Sequence, residues 1–227
     1  MKLSAVQNGR LIADFIRSES AMTLEEAEKK LGFNYPEKLH KIHDMGALEW
    51  MELERGEYSR EVFRKYSAMP DQFMMLSCDI EPIVFCDLSD EIDYLNELVG
   101  YKCEDDGVKL KDGVRLFPFA TTGGGDFFCF ICTEDTETAK LGWYYHDDYD
   151  TPAVCAESFE EFLYFALLNA ASWGAADDDD IESEAFQFHI GLLSDEYKAK
   201  VEGKSLEELA DDYEDLILRP ADIWEKA

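Results

Sequence analysis

His40 and His43 stand three residues apart, a spacing that brings both imidazoles to one face of a helix, near enough to share a metal ion. No third ligand is in sight, and the four-residue spacing with a following Glu that marks a metalloprotease helix is absent. The pair reads as structural or surface histidines. Cys129 and Cys132 have the interval of a metal knuckle, but Phe130 and Ile131 between them are bulky and apolar, and no second cysteine pair answers them. On a strand they would also point to opposite faces, because side chains alternate. Gly123, Gly124 and Gly125 suggest a phosphate loop only until the next residue is read. Asp126 would repel phosphate, no Lys with Ser or Thr follows, and a strand-to-strand turn is the better reading. No serine lies in a nucleophile elbow, and no cysteine and histidine share a recognisable local frame. We expect no catalytic residue, no resident metal and no cofactor.

One cluster remains. His146, Asp147, Asp148, Tyr149 and Asp150 gather carboxylates of the kind hard cations bind, but their spacing does not fit a calcium loop. They read as a solvated acidic loop and, together with Trp143 and Tyr145 just before them, as an acidic and aromatic docking surface for a basic partner. Tyr144 and Tyr145 alternate across a strand, so one belongs to the core and the other can reach out. The run Asp177 to Asp180 admits the same readings, solvated surface or docking site.

The elements that must hold these residues follow from periodicity and punctuation. Val6, Leu11, Ile12, Phe15 and Ile16 mark a first helix over Ala5 to Arg17. Thr23 and Glu26 have the capping-box spacing ahead of a short helix that ends at Gly32. Pro36 suits the first turn of the next helix, whose Leu39, Ile42 and Met45 share a face before Gly46. Residues 72–78 and 82–88 read as short covered strands, Ile92 to Val99 as a brief helix closed by Gly100, and Cys103 to Gly113 as an exposed loop. Arg115 to Ala120, Asp126 to Cys132 and Leu141 to His146 form an antiparallel meander rich in aromatics. Ser158 and Glu161 cap a helix carrying Phe159, Phe162, Leu163, Ala166 and Leu167, which packs on that sheet. After Trp173 the composition turns small and acidic. A third capping box at Ser205 and Glu208 opens a last helix with Leu206, Leu209, Tyr213 and Leu216. Helices, then strands, then helices argue for an α+β fold, an antiparallel or mixed sheet flanked by helices. We expect a main domain over 1–173 and, over 174–227, an acidic linker and helical appendage packed on it.

Composition bounds the function. With 227 residues, 46% of them apolar, the chain can bury a real core. It has no apolar run of membrane-spanning length and no basic tip leading into a greasy stretch, so neither a span nor a secretion signal is expected. Its six cysteines sit inside apolar runs rather than in a disulfide framework, which suggests a reducing, cytoplasmic setting. Against 51 acidic residues stand 21 basic ones, a net charge of −30. That field repels nucleic acid and anionic membranes and draws basic partners. Solubility, or an acidic host proteome, gives the same composition without any partner.

Leu116-Phe117-Pro118-Phe119-Ala120, the turn Gly123-Gly124-Gly125-Asp126, Phe127-Phe128-Cys129-Phe130, Gly142-Trp143-Tyr144-Tyr145-His146-Asp147 and Ala156 to Leu163 resemble, in order and spacing, the SUKH superfamily. Glu26, Leu31-Gly32 and Tyr35-Pro36 resemble that family's opening helices. The resemblance covers roughly residues 22–170. It departs at Thr122, where an acidic residue often precedes the glycines, over Trp50 to Gly113, and after Ala171. It implies an α+β domain without catalysis. Many bacterial members are immunity proteins that neutralise a toxin, often a nuclease or deaminase, and a fungal branch regulates cell-wall assembly. The expectation is therefore an immunity protein bound to a basic protein toxin through Trp143, Tyr145, His146, Asp147, Asp148, Tyr149 and Asp150. The alternative is a regulatory or scaffold module with no toxin. Oligomeric state is left open.

Overall fold

The computed structural model describes residues 23–44, 80–82, 88–122, 124–133, 139–146, 152–176, 181 and 184–227. The helix expected over Ala5 to Arg17, the strand expected over 72–78, residues 83–87, Asp147 to Asp150 and Asp177 to Asp180 lie outside these described residues.

The first described helix, α1 (Leu24–Leu31), is closed at both ends by its own sequence. Thr23 Oγ1 accepts from the Glu26 amide at 3.2 Å, Glu26 Oε2 accepts from the Thr23 amide at 3.0 Å, and Gly32 takes the left-handed conformation at φ 60°. Helix α2 (Glu37–Asp44) starts after Pro36, whose carbonyl accepts from the Leu39 and His40 amides. Leu39 and Ile42 are buried, as their shared face requires.

A six-stranded antiparallel sheet runs in the order β1 (Ile80–Pro82), β3 (Arg115–Thr122), β4 (Phe127–Cys132), β5 (Lys140–Tyr144), β6 (Ala153–Ala156) and β7 (Arg219–Pro220). The meander expected from the sequence is its centre. Pro118 has no amide to give to a ladder, and the register of β3 against β4 shifts between Pro118 and Ala120, where such a residue is tolerated. β4 is buried along its whole length, which explains a run without polar alternation, Phe-Phe-Cys-Phe-Ile-Cys.

Across the sheet lies α4 (Phe159–Ala176), capped by Ser158 Oγ, which accepts from the Glu161 amide at 3.2 Å. From Phe162 to Ala171 every residue except Tyr164 is buried. A helix apolar on all sides needs cover on all sides. The sheet covers one side, through Phe119 against Phe162 at 5.1 Å and Phe128 against Phe162 at 5.5 Å between ring centres. Helices α5 (Glu184–Leu192) and α7 (Leu206–Glu214), joined by α6 (Asp195–Val201), cover the other. Phe186, Leu192, Leu193, Val201, Leu206 and Leu209 enter the same core.

Three expectations need correcting. Of the strand expected over 82–88 only the two ends are described, with Pro82 in β1 and Leu88 already in a helix. That helix, α3 (Leu88–Asp106), runs through Gly100 rather than stopping there. An interior glycine costs only about 1 kcal/mol, and the buried stripe Leu95, Leu98 and the stem of Lys102 continues past it. The stop is Gly107, at φ 63°, whose amide donates to the Cys103 carbonyl at 3.1 Å. Cys103 to Gly113 is therefore no exposed loop. It holds the end of α3 and strand β2 (Val108–Leu110), which pairs with β8 (Trp224–Lys226). Nor is the C-terminal segment wholly helical. Its last residues supply β7, added to the main sheet, and β8.

Candidate functional site

The site expected from the sequence begins at the β3–β4 turn. Asp126 and Thr122 close it: the Thr122 amide donates to the Asp126 carbonyl at 3.0 Å, the Asp126 amide to Thr122 Oγ1 at 3.1 Å, and the Gly125 amide to the Thr122 carbonyl at 2.9 Å. Gly125 sits at φ 94°, where any other residue would be strained. This is the strand-to-strand turn read from the glycines, and its geometry aims the Asp126 carboxylate at β5.

That carboxylate accepts three hydrogen bonds. Oδ2 takes the Trp143 indole N–H at 3.2 Å, and Oδ1 takes the His146 amide at 3.1 Å and His146 Nδ1 at 2.8 Å. Since a carboxylate only accepts, Nδ1 carries the proton in this contact. Asp126 thus fixes the indole of Trp143 and the ring of His146 in place. The sequence marked it only as a charge incompatible with phosphate, because its donors arrive from 17 and 20 residues away.

Trp143 is half-buried. Its ring stacks on Tyr145 at 4.8 Å between centres and 24° between planes, and lies 5.2 Å from Phe128. Tyr144 is buried at 1% exposure while Tyr145 keeps 37%, the division that strand alternation requires. Partial burial, then the neighbouring Tyr213 and Asp126, push the Tyr145 hydroxyl above its ordinary range. Of the seven expected partner-binding residues, the structure brings Trp143, Tyr145 and His146 together beside Asp126. Asp147, Asp148, Tyr149 and Asp150 follow directly in the chain, outside the described residues.

Of the other candidates, His40, Cys129 and Cys132 hold structural positions. His40 Nε2 lies 2.8 Å from Glu28 Oε1, which also accepts from the Tyr35 amide at 2.7 Å, so this imidazole ties α1 to α2. The side chain of His43 is outside the described residues. Cys129 and Cys132 are buried on β4, and burial pushes the Cys129 thiol far up and that of Cys132 to about 11. Cys155, on β6, is likewise raised by burial. Such thiols are poor nucleophiles. Among the described residues, no three His, Cys, Asp or Glu side chains are grouped for a metal ion, and no helix is long and apolar enough to cross a membrane.

Sequence reasoning missed a small pocket beside Trp143. It encloses about 160 Å³ between the end of the sheet, α4 and α7, and reaches from Thr122 and Trp143 to Asn169, Trp173 and Tyr213. Asn169 gave one faint signal, an amide within an otherwise apolar helical run, but Tyr213, its hydrogen-bond partner, is 44 residues distant.

An antiparallel sheet crossed by one apolar helix, with a carboxylate-organised aromatic cluster at the end of β5, defines an α+β domain. The match of the SMI1 / KNR4 family (SUKH-1) model to residues 20–164 places it further: the chain belongs to this family, within the SUKH superfamily. Proteins of this kind are known as immunity or regulatory proteins rather than enzymes. Neither a curated protein nor a solved structure gives a significant match.

Proposed function

We propose that this protein is an immunity protein that binds a cognate toxin, a basic nuclease or deaminase, and blocks its active or substrate site. The observation that carries the reading is the net charge of −30 in a member of a family known for immunity and regulatory roles. A toxin acting on nucleic acid presents a basic surface, and a field of this size accelerates the encounter. Half-buried Trp143 and exposed Tyr145 supply the aromatic anchor, His146 flanks it, and Asp147, Asp148, Tyr149 and Asp150 extend it with charge, the composition of an interface centre surrounded by polar rim. In this reading residues 1–173 are the binding domain and 174–227 its appendage, working in the cytoplasm where the toxin arrives.

The test is capture of catalytically inactive toxin candidates encoded beside the gene, at low and at high salt. A tight complex with a basic candidate, slower to form at high salt, supports immunity. Failure to capture any of them at either salt moves the protein to the regulatory-scaffold role.

A further inference from the structure

The pocket beside Trp143 has walls and a floor of different chemistry. Its walls are aromatic: the indoles of Trp143 and Trp173, with Phe128 and the ring of Tyr213. Trp173 is 47% exposed and forms the rim, and Trp143 is held at its angle by Asp126. The floor is Asn169, at only 6% exposure. Its Nδ2 donates to Tyr213 Oη at 2.9 Å, while its Oδ1 is buried without any hydrogen-bond donor among the described residues. A buried, unpaired amide oxygen on a residue that lines an aromatic cleft asks for a donor that also tolerates π faces.

We propose that this pocket receives an arginine side chain of the partner protein, its guanidinium lying against the indoles and donating to Asn169 Oδ1. The proposal rests on the reading of the chain as a binder of a basic protein. Other occupants fit less well. A hydrocarbon side chain leaves Asn169 Oδ1 unpaired. A carboxylate meets that oxygen and the carboxylate of Asp126, on a chain of net charge −30. A lysine ammonium is compact and strongly hydrated and lacks the flat face that stacks on indole. The volume, about 160 Å³, corresponds to roughly five waters at about 30 Å³ each, so a head group enters rather than a whole residue. Tyr213 Oη accepts from Asn169 and retains acceptor capacity for a second N–H of the fork.

The family match does not supply this feature. It ends at residue 164, so Asn169, Ser172, Trp173 and Tyr213 lie beyond it, while Thr122, Phe128 and Trp143 lie within. The pocket needs the end of α4 and the C-terminal helix α7 together.

The experiment follows the indole N–H signals of the intact chain by NMR during titration with N-acetyl-arginine methylamide, and separately with its lysine and citrulline counterparts. Citrulline keeps the shape and loses the charge. The expected result is saturable movement of the Trp143 and Trp173 signals with Trp224 unmoved, and binding weaker by about tenfold for citrulline, as loss of a cation–π contact implies. Trp173→Ala, at the exposed rim, and Asn169→Leu each weaken arginine binding about fivefold or more, by removing a stacking face and a buried acceptor respectively. Trp143 and Trp173 signals that do not move, equal response to citrulline, or full binding in the Trp173→Ala variant would overturn the proposal, even if Asn169→Leu failed to fold. The probe needs no toxin. A responsive pocket with no toxin captured removes the toxin reading alone, and a captured toxin with a silent probe removes the pocket alone.

Discussion

Asp126 shows how one side chain organises a surface without performing chemistry on it. Its carboxylate is engaged by the Trp143 indole, the His146 ring and the His146 amide, leaving it a positioning group. Asp126→Ala strands these donors and should cost about 1–3 kcal/mol of stability, with a changed Trp143 fluorescence in the native state; unaltered stability and emission would show that the carboxylate organises nothing. His189 sets a pH dependence. It is 3% exposed, its Nε2–H donates to the Leu163 carbonyl at 2.9 Å, and burial lowers its pKa from 6.5 to about 4. The unfolded chain protonates this ring near pH 6.5 and the native chain only near pH 4, so unfolding takes up a proton between those values. Its contribution is fully present above pH 6.5 and falls by up to about 3 kcal/mol as pH drops toward 4. Denaturant titrations at several pH values should therefore give a shallower acid slope for His189→Gln than for the parent chain, and equal slopes would refute this. At this scale the sequence was half legible. Strand alternation put one of Tyr144 and Tyr145 in the core without saying which, whereas Asn169 and Asp126 acquire their roles from partners far along the chain.

Among the elements, those with local punctuation were legible and those closed by distant partners were not. The capping boxes at Thr23 and Ser205 are reciprocal in the structure, and Ser158 caps α4 with its hydroxyl while Glu161 reaches the Glu157 amide instead. The meander was evident because three aromatic runs are separated by turn residues. By contrast β2 pairs with β8 more than a hundred residues away, a contact no local pattern encodes, and three residues are too few to show a period. Gly100 misled because glycine permits a helix end without imposing one: α3 passes it, and a Cβ there would meet nothing within 4 Å. Gly142 is the opposite case. A Cβ on it would lie 2.6 Å from Ile131 Cδ1 and 3.3 Å from Pro152 Cβ, with Ile131 itself packed against Ala221 and Ile223. Gly142→Ala should accordingly destabilise the protein by about 1–3 kcal/mol through overpacking, read as a lower denaturation midpoint; a neutral result would mean that Ile131 has room to turn away.

Over the whole molecule, the C-terminal segment and the charge decide behaviour together. Helix α4 is apolar all round, and its far side is covered by α5 and α7. Removing residues 184–227 would uncover that side, together with the edge of β6 that β7 occupies, so the shortened chain should lose cooperative unfolding and bind a hydrophobic dye; a sharp, dye-free transition would show that the segment is dispensable. The acidity was readable from composition alone, and so was its consequence for a partner of opposite sign, while the partner's identity is not written in one chain. The most direct measurement is therefore inhibition: the activity of a toxin encoded beside the gene, titrated with this protein at low and high salt. Binding and occlusion predict activity abolished near one equivalent, with an onset slowed about tenfold or more by salt, as electrostatic steering requires. Full toxin activity in the presence of excess protein at both salt concentrations would contradict the immunity role.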